Sequence, residues 1–285
     1  MLAPLRSRLE RAWFRRSVPG GGLGRSRFGG VRNASEGPST VTFRRLGARG
    51  YGHLGNQLWQ MAGTLGLAST LGAEARFPLW RHQNRFCVPA EHFTAEPLRG
   101  RDASTIPQHI AKGHRRYLQD PALWLHMEST IRRYFSLEPT HRAALEAKFS
   151  SMLAIPDKTA LHIRRGDYQK KQQFHPVPSD AYLRAALERV AGSNIVVFSD
   201  DIAWCRQNLG WAEPALFMEG NADYEDLFLI AACERHILAN SSFSWWGAFL
   251  SDNPSPIYPT RWYGPAFDDV DPTLFFLEKW VGLDS

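Results

Sequence analysis

From Lys158 onward the chain alternates short apolar runs with longer amphipathic segments, and this alternation restricts the fold more than any other feature. Thr159 to Ile163, Asn194 to Phe198, Ala215 to Met218, His236 to Ala239 and Ile257-Tyr258 are strand-length runs bounded by turn residues. Between them, Asp180 to Val190, Asp201 to Leu209 and Tyr224 to Cys233 carry apolar residues at helical spacing, and a further helix runs from Trp245 to Leu250. In the first of these, Tyr182, Leu183, Ala186, Leu187 and Val190 share one face, and Asp180 can cap it. Parallel strands need a crossover between them, usually a helix, so this order predicts an α/β fold with a doubly wound parallel sheet.

The upstream half starts the same way. Val41 to Phe43 reads as a strand, and Gly47 to Gln57 as a glycine-dense turn. Leu58 to Leu71 then reads as a helix and Ala75 to Phe77 as a second strand. Strand, glycine loop, helix and strand open a Rossmann-like unit, in which glycine lets backbone approach a ligand. Pro139 to Phe149 reads as a further helix. The reading divides the chain into a disordered arginine- and glycine-rich tail over 1–39, one Rossmann-like half over 40–150 and a second over 151–285.

Charge decides which partners are plausible. The first 40 residues hold eight arginines against Glu10 and Glu36, which accounts for the whole formal charge of +6. The other 245 residues balance 26 basic against 26 acidic side chains, so the body lacks the broad basic face that nucleic-acid binding needs. The tail is acid-poor like a transit peptide, and Leu5, Leu9, Trp13 and Phe14 suit peripheral contact with an anionic membrane. No apolar stretch approaches the ~20 residues that span a bilayer. Cys87, Cys205 and Cys233 form neither a disulfide framework nor a metal pair, which fits a reducing compartment or buried thiols. His82, His92, His109, His114 and His126 lack metal-ligand spacing.

Three segments fall at the carboxyl ends of strands, where open α/β sheets bind ligands. The first is His162-Ile163-Arg164-Arg165-Gly166-Asp167-Tyr168, the second Ser199-Asp200-Asp201 and the third Asn240-Ser241-Ser242-Phe243-Ser244. An arginine fork matches pairs of phosphate oxygens. Serines at a helix start also bind phosphate, because free N–H groups and the helix dipole favour anions. Carboxylates beside them can hold guanine N–H groups or sugar hydroxyls. Capping is the structural alternative for Ser241, Ser242, Ser244, Asp200 and Asp201.

This set resembles the α-1,2-fucosyltransferase family of glycosyltransferases. HIRRGDY (162–168) fits the family's His-x-Arg-Arg-x-Asp-Tyr motif, and GHLGNQLWQMAG (52–63) is similar to its glycine-rich N-terminal motif, with His53 in place of a glycine. FSDDIAWC (198–205) and DYEDLFLIAACERHILANSSFSWWGAFL (223–250) are similar to its remaining motifs. The resemblance implies a GT-B-type fold, two Rossmann-like halves facing a cleft. It implies transfer of L-fucose from GDP-β-L-fucose to the 2-hydroxyl of a galactose-terminated glycan, with inversion and with no metal or other cofactor. Arg164 would contact the diphosphate and Arg165 would support its loop, with His162 and Asp167 shaping the site. Asp200 and Asn240 would belong to the donor site, Asp201 and Asp226 would hold the nucleotide, and Ser242 or Ser244 the phosphates. Asn56 would face the cleft as a catalytic group. The residue that accepts the proton of the acceptor hydroxyl stays open among His53, Glu74 and Asp102. A bacterial protein of this kind would be cytoplasmic or peripheral to a membrane, a eukaryotic one would sit on the Golgi membrane.

Two rivals remain. Asp269-Val270-Asp271 is a formal metal-binding acid pair, which would make the chain a metal-dependent sugar-nucleotide transferase. A non-catalytic GDP-sugar or glycan-binding module would keep the same pocket without turnover.

Overall fold

The computed structural model describes residues 40–105, 117–212, 215–251, 255–267 and 270–284. The tail over 1–39 lies outside them. Strand β1 (Thr40–Thr42), helix α1 (Leu54–Leu71) and β2 (Glu74–Pro78) open the first half, followed by the two-residue strands β3 (Phe93–Thr94) and β4 (Arg101–Asp102). Three helices come next: α2 (Glu128–Tyr134), α3 (Pro139–Lys148) and α4 (Ser150–Leu153). The second half runs β5 (Lys158–Ile163), α5 (Asp180–Glu188), β6 (Asn194–Ser199), α6 (Ile202–Asn208), β7 (Ala215–Phe217), α7 (Asp223–Ala231), β8 (Arg235–Ile237), α8 (Ser242–Leu250), β9 (Ile257–Pro259) and β10 (Val281–Leu283).

Two parallel sheets result, in the orders β3-β2-β1-β4 and β10-β9-β8-β5-β6-β7. This is the two-sheet, GT-B-type organisation that the resemblance implies. All six residues of β5 are buried, as expected for a central strand covered on both faces. Its register with β6 sets Ile163 opposite Ser199, so Arg164 and Asp200 leave the sheet side by side.

The sequence places the start of α1 at Leu58, but the helix begins at Leu54. Gly55 and Asn56 read as loop because glycine is a poor helix former. Here tertiary packing overrides propensity, because α1 and α8 meet at their N-termini. A β-carbon on Gly55 would lie 2.6 Å from the Phe243 nitrogen. Helix α8 likewise begins at Ser242 rather than Trp245, with Ser241 as its cap, and α5 is capped by Ser179 rather than Asp180.

The same pair of helices joins the cores. Trp245 and Trp246 of α8 pack on Trp59 of α1 with ring centroids 4.4 and 5.1 Å apart. Trp124 stacks on Trp246 at 5.3 Å, and Phe249 meets Trp124 edge-on at 5.1 Å. All five rings are fully buried, in one apolar cluster that runs from Val41 to Trp262.

Candidate active site

Side chains from two turns form an ion cluster at the carboxyl ends of β5 and β6. Asp200 Oδ1 accepts the backbone N–H groups of Arg165 at 2.9 Å and Gly166 at 3.2 Å, and Oδ2 lies 3.1 Å from Arg164 Nη1. This clasp needs glycine at 166, where a β-carbon would stand 2.6 Å from Asp200 Oδ2. Arg164 Nη2 donates to Asp167 Oδ1 at 2.8 Å, and its guanidinium lies 5.5 Å from the Tyr168 ring centre. Lys171 Nζ donates to the other Asp167 oxygen at 2.9 Å. Burial pushes the Asp167 carboxyl up, but Lys171 and Arg164 outweigh it and hold the group below its ordinary range.

Arg165 turns the other way. Its guanidinium covers the Trp204 ring at 4.1 Å and lies 3.4 Å from Asp201 Oδ2. Asp201 also caps α6 by accepting the Trp204 N–H. Arg165 thus anchors the turn to α6, while Arg164 lies between Asp167 and Asp200. Three cations (Arg164, Arg165 and Lys171) meet three carboxylates (Asp167, Asp200 and Asp201) in this cluster.

The second component is the meeting of α1 and α8. Neither helix has an acidic residue in its first turn, so each N-terminus keeps a partial positive charge of roughly half a unit. Ser242 Oγ donates to Asn56 Oδ1 at 2.9 Å, and Gln119 Nε2 donates to the same oxygen at 2.8 Å. The two components touch: Tyr168, under Arg164, donates its hydroxyl to the Asn240 carbonyl at 3.2 Å. His162 is buried below them, its ring 5.8 Å from Phe243. Burial, reinforced by the Arg164 charge, lowers its pKa to about 3, so it is a neutral ring.

The structure therefore brings together Arg164, Arg165, Asp167, Asp200 and Asp201 in one group, and Asn56 with Ser242 in another. Two of the expected site residues are turned elsewhere. Asn240 is buried and donates from Nδ2 to the carbonyls of Pro176 and Trp262, which ties loops together. Ser244 is fully buried, its hydroxyl turned onto the Ala239 and Ser241 carbonyls inside the helix start. Asp226 stands apart in the first turn of α7, where it accepts from Asn221 Nδ2. Burial raises its pKa, and the charges of Glu225 and Asp223 add to this against the Asn221 bond.

Of the three groups left open as proton acceptor, Glu74 lies at the amino end of β2, away from the site, paired with Arg76. Asp102 is occupied by the Ser104 N–H and hydroxyl. His53 is exposed at the N-cap of α1, three residues before Asn56. Asp271 accepts from Thr273, while Asp269 lies outside the described residues. Among the described residues, no group of three or more His, Cys, Asp or Glu side chains could hold a metal.

Lys171, Trp204, Gln119 and Tyr263 escape the sequence reading. Lys171 was findable, four residues after Asp167. Gln119 was not, since it reaches Asn56 across 63 positions. A cleft of about 860 Å³, bordered by Phe86, Arg132, Phe228 and Leu250, lies elsewhere and includes none of the ion cluster. Among the described residues no helix is long and apolar enough to cross a membrane.

Comparison with known proteins gives a family profile, Glycosyl transferase family 11, over residues 99–284. An alpha-1,2-colitosyltransferase of Escherichia coli is 35% identical over 156 residues, half of this chain and 53% of that protein. The galactoside alpha-(1,2)-fucosyltransferase 2 of Oryctolagus cuniculus is 26% identical over 269 residues, 82% of this chain and 75% of that protein. The two bacterial relatives, the second an Escherichia coli O-antigen biosynthesis glycosyltransferase, are matched over about half of their length. Among solved structures, the fucosyltransferase NodZ from Bradyrhizobium aligns with a TM-score of 0.45 at 12% identity, covering 76% of this chain and 94% of that one.

Proposed function

The chain belongs to glycosyl transferase family 11, and from that premise we infer that it transfers L-fucose from GDP-β-L-fucose to the 2-hydroxyl of a galactose residue, with inversion at the anomeric carbon. The observation that carries this reading is Arg164, held by Asp200 and Asp167 and linked through Tyr168 and the Asn240 carbonyl to the paired N-termini of α1 and α8. Departure of GDP builds negative charge on the β-phosphate. Arg164, the N-terminus of α8 and the Asn56 amide supply fixed positive potential to receive it. On this reading no metal is required, and turnover survives EDTA.

Asp167 can release Arg164 to the diphosphate because Lys171 remains as its partner. Asp201 is committed to α6 and Arg165, so the nucleotide base falls to Asp226, whose carboxylate would accept the guanine ring N–H groups. His53 is the group of the three best placed to take the acceptor proton. The arginine-rich tail supports peripheral contact with an anionic membrane.

Turnover of GDP-fucose against a panel of galactosides, with the linkage determined by NMR, tests the reading. Two lost charge-assisted bonds at ~1.5–3 kcal/mol each predict that Arg164→Ala lowers turnover by roughly a hundredfold or more while the protein stays folded. Unchanged turnover in that variant overturns the assignment. A colitosyl donor is the second reading, favoured by the name of the bacterial relative, and the same assay with an activated colitosyl donor separates the two.

A further inference from the structure

We propose that Gln119 is a positioning residue that orients the Asn56 amide, so that Asn56 offers its nitrogen, not its oxygen, to the leaving phosphate. The proposal rests on the transferase reading above.

Asn56 Oδ1 accepts two hydrogen bonds, from Ser242 Oγ at 2.9 Å and from Gln119 Nε2 at 2.8 Å. Its Nδ2 has no partner among the described residues. The two neighbours are not equivalent. A serine hydroxyl both donates and accepts, so Ser242 would satisfy either end of the Asn56 amide. The Gln119 amide nitrogen can only donate, so it demands oxygen in front of it. Gln119 in turn takes the Tyr263 hydroxyl on Oε1, a longer contact at 3.5 Å. Tyr263, Gln119, Asn56 and Ser242 thus form a strap that passes from the second half to the first and back.

The backbone around Gln119 is strained. Leu118 has φ of +54°, a left-handed conformation disfavoured for a residue with a β-carbon. It is fully buried against Gly63 of α1. The Asp120 N–H returns to the Leu118 carbonyl at 2.8 Å, and Asp120 caps the next turn through the Ala122 N–H. Next to it, Gln119 meets Asn56. Strain of this kind persists only where surrounding packing enforces it, and it clusters at functional positions.

The test compares Gln119→Glu with Gln119→Ala in the full chain. An ionised glutamate accepts only, so it draws the Asn56 nitrogen toward itself and turns the oxygen to the phosphate. A protonated glutamate donates as Gln119 does. We expect kcat of Gln119→Glu to fall roughly 10- to 100-fold at pH 8, in line with misplacement of a catalytic group, with KM for GDP-fucose within about threefold of the wild type. Relative to wild type measured at each pH, the deficit should shrink toward pH 5 as the carboxyl, ordinarily near ~4.3 and raised by its half-buried position, takes up a proton. Gln119→Ala should show a deficit that does not change with pH. GDP binding by both variants reports an intact fold. A Gln119→Glu enzyme within twofold of wild type at pH 8, or one whose deficit is as pH-independent as that of Gln119→Ala, overturns the proposal. Absence of fucosyl transfer by the wild type overturns the functional reading, and the proposal with it.

Discussion

Arg164 and Arg165 are adjacent in sequence and alike in chemistry, yet one lies between Asp167 and Asp200 and the other on Trp204. The sequence indicates that arginines stand at a strand end. It does not indicate which carboxylate each would meet, because that follows from the β5–β6 register. Nor does it distinguish a ligand serine from a cap: Ser242 and Ser244 are two residues apart, and only Ser242 faces Asn56. His162 carries a pH prediction. It is neutral in the fold, with its pKa at about 3, while in the unfolded chain it protonates near 6.5. Its contribution to stability is therefore complete above about pH 6.5 and declines as pH falls toward about 3, because the unfolded state binds the proton first. The slope approaches ~1.4 kcal/mol per pH unit, and His236, lowered to about 4 by burial, adds to it. Melting curves between pH 7 and 5 should show a steeper loss for wild type than for His162→Phe. Parallel curves would remove His162 from the account.

Among elements, those that resist reading are the short ones and the ones decided by contact. β5, β6 and β8 are legible because central strands of a parallel sheet are continuous apolar runs. β3 and β4 have two residues each, too few for a period, and β10 is an edge strand defined by its pairing with β9. The first turn of α1 is a different failure. Gly55 argues against a helix locally, but glycine is what lets α1 touch α8. Gly55→Ala would place a methyl 2.6 Å from the Phe243 nitrogen and 2.7 Å from the Ser242 carbonyl carbon. Backbone cannot yield as a flexible side chain does, so the expected cost is ~1–3 kcal/mol, with turnover falling as Asn56 and Ser242 separate. An unchanged melting temperature would show that the two helix starts are not in contact.

At the scale of the whole molecule the two sheets lie in successive parts of the chain, β1 to β4 before residue 150 and β5 to β10 after it, but the core does not divide there. Trp245, Trp246 and Phe249 of α8 complete the apolar cluster of the first half. Calorimetry should therefore record one cooperative transition, and Trp246→Ala should lower it by ~3–5 kcal/mol without splitting it. Two resolved transitions would mean that the halves fold independently. The tryptophan surplus is plain in the composition, but its use as a weld between halves is not, because Trp59 and Trp246 are neighbours only in three dimensions. The weld also fixes the spacing of the two sheets. Two bodies on a loose linker can swing apart. Here α1 rests on α8 with no room for a methyl group, so the two halves keep their distance like a fixed-gauge calliper.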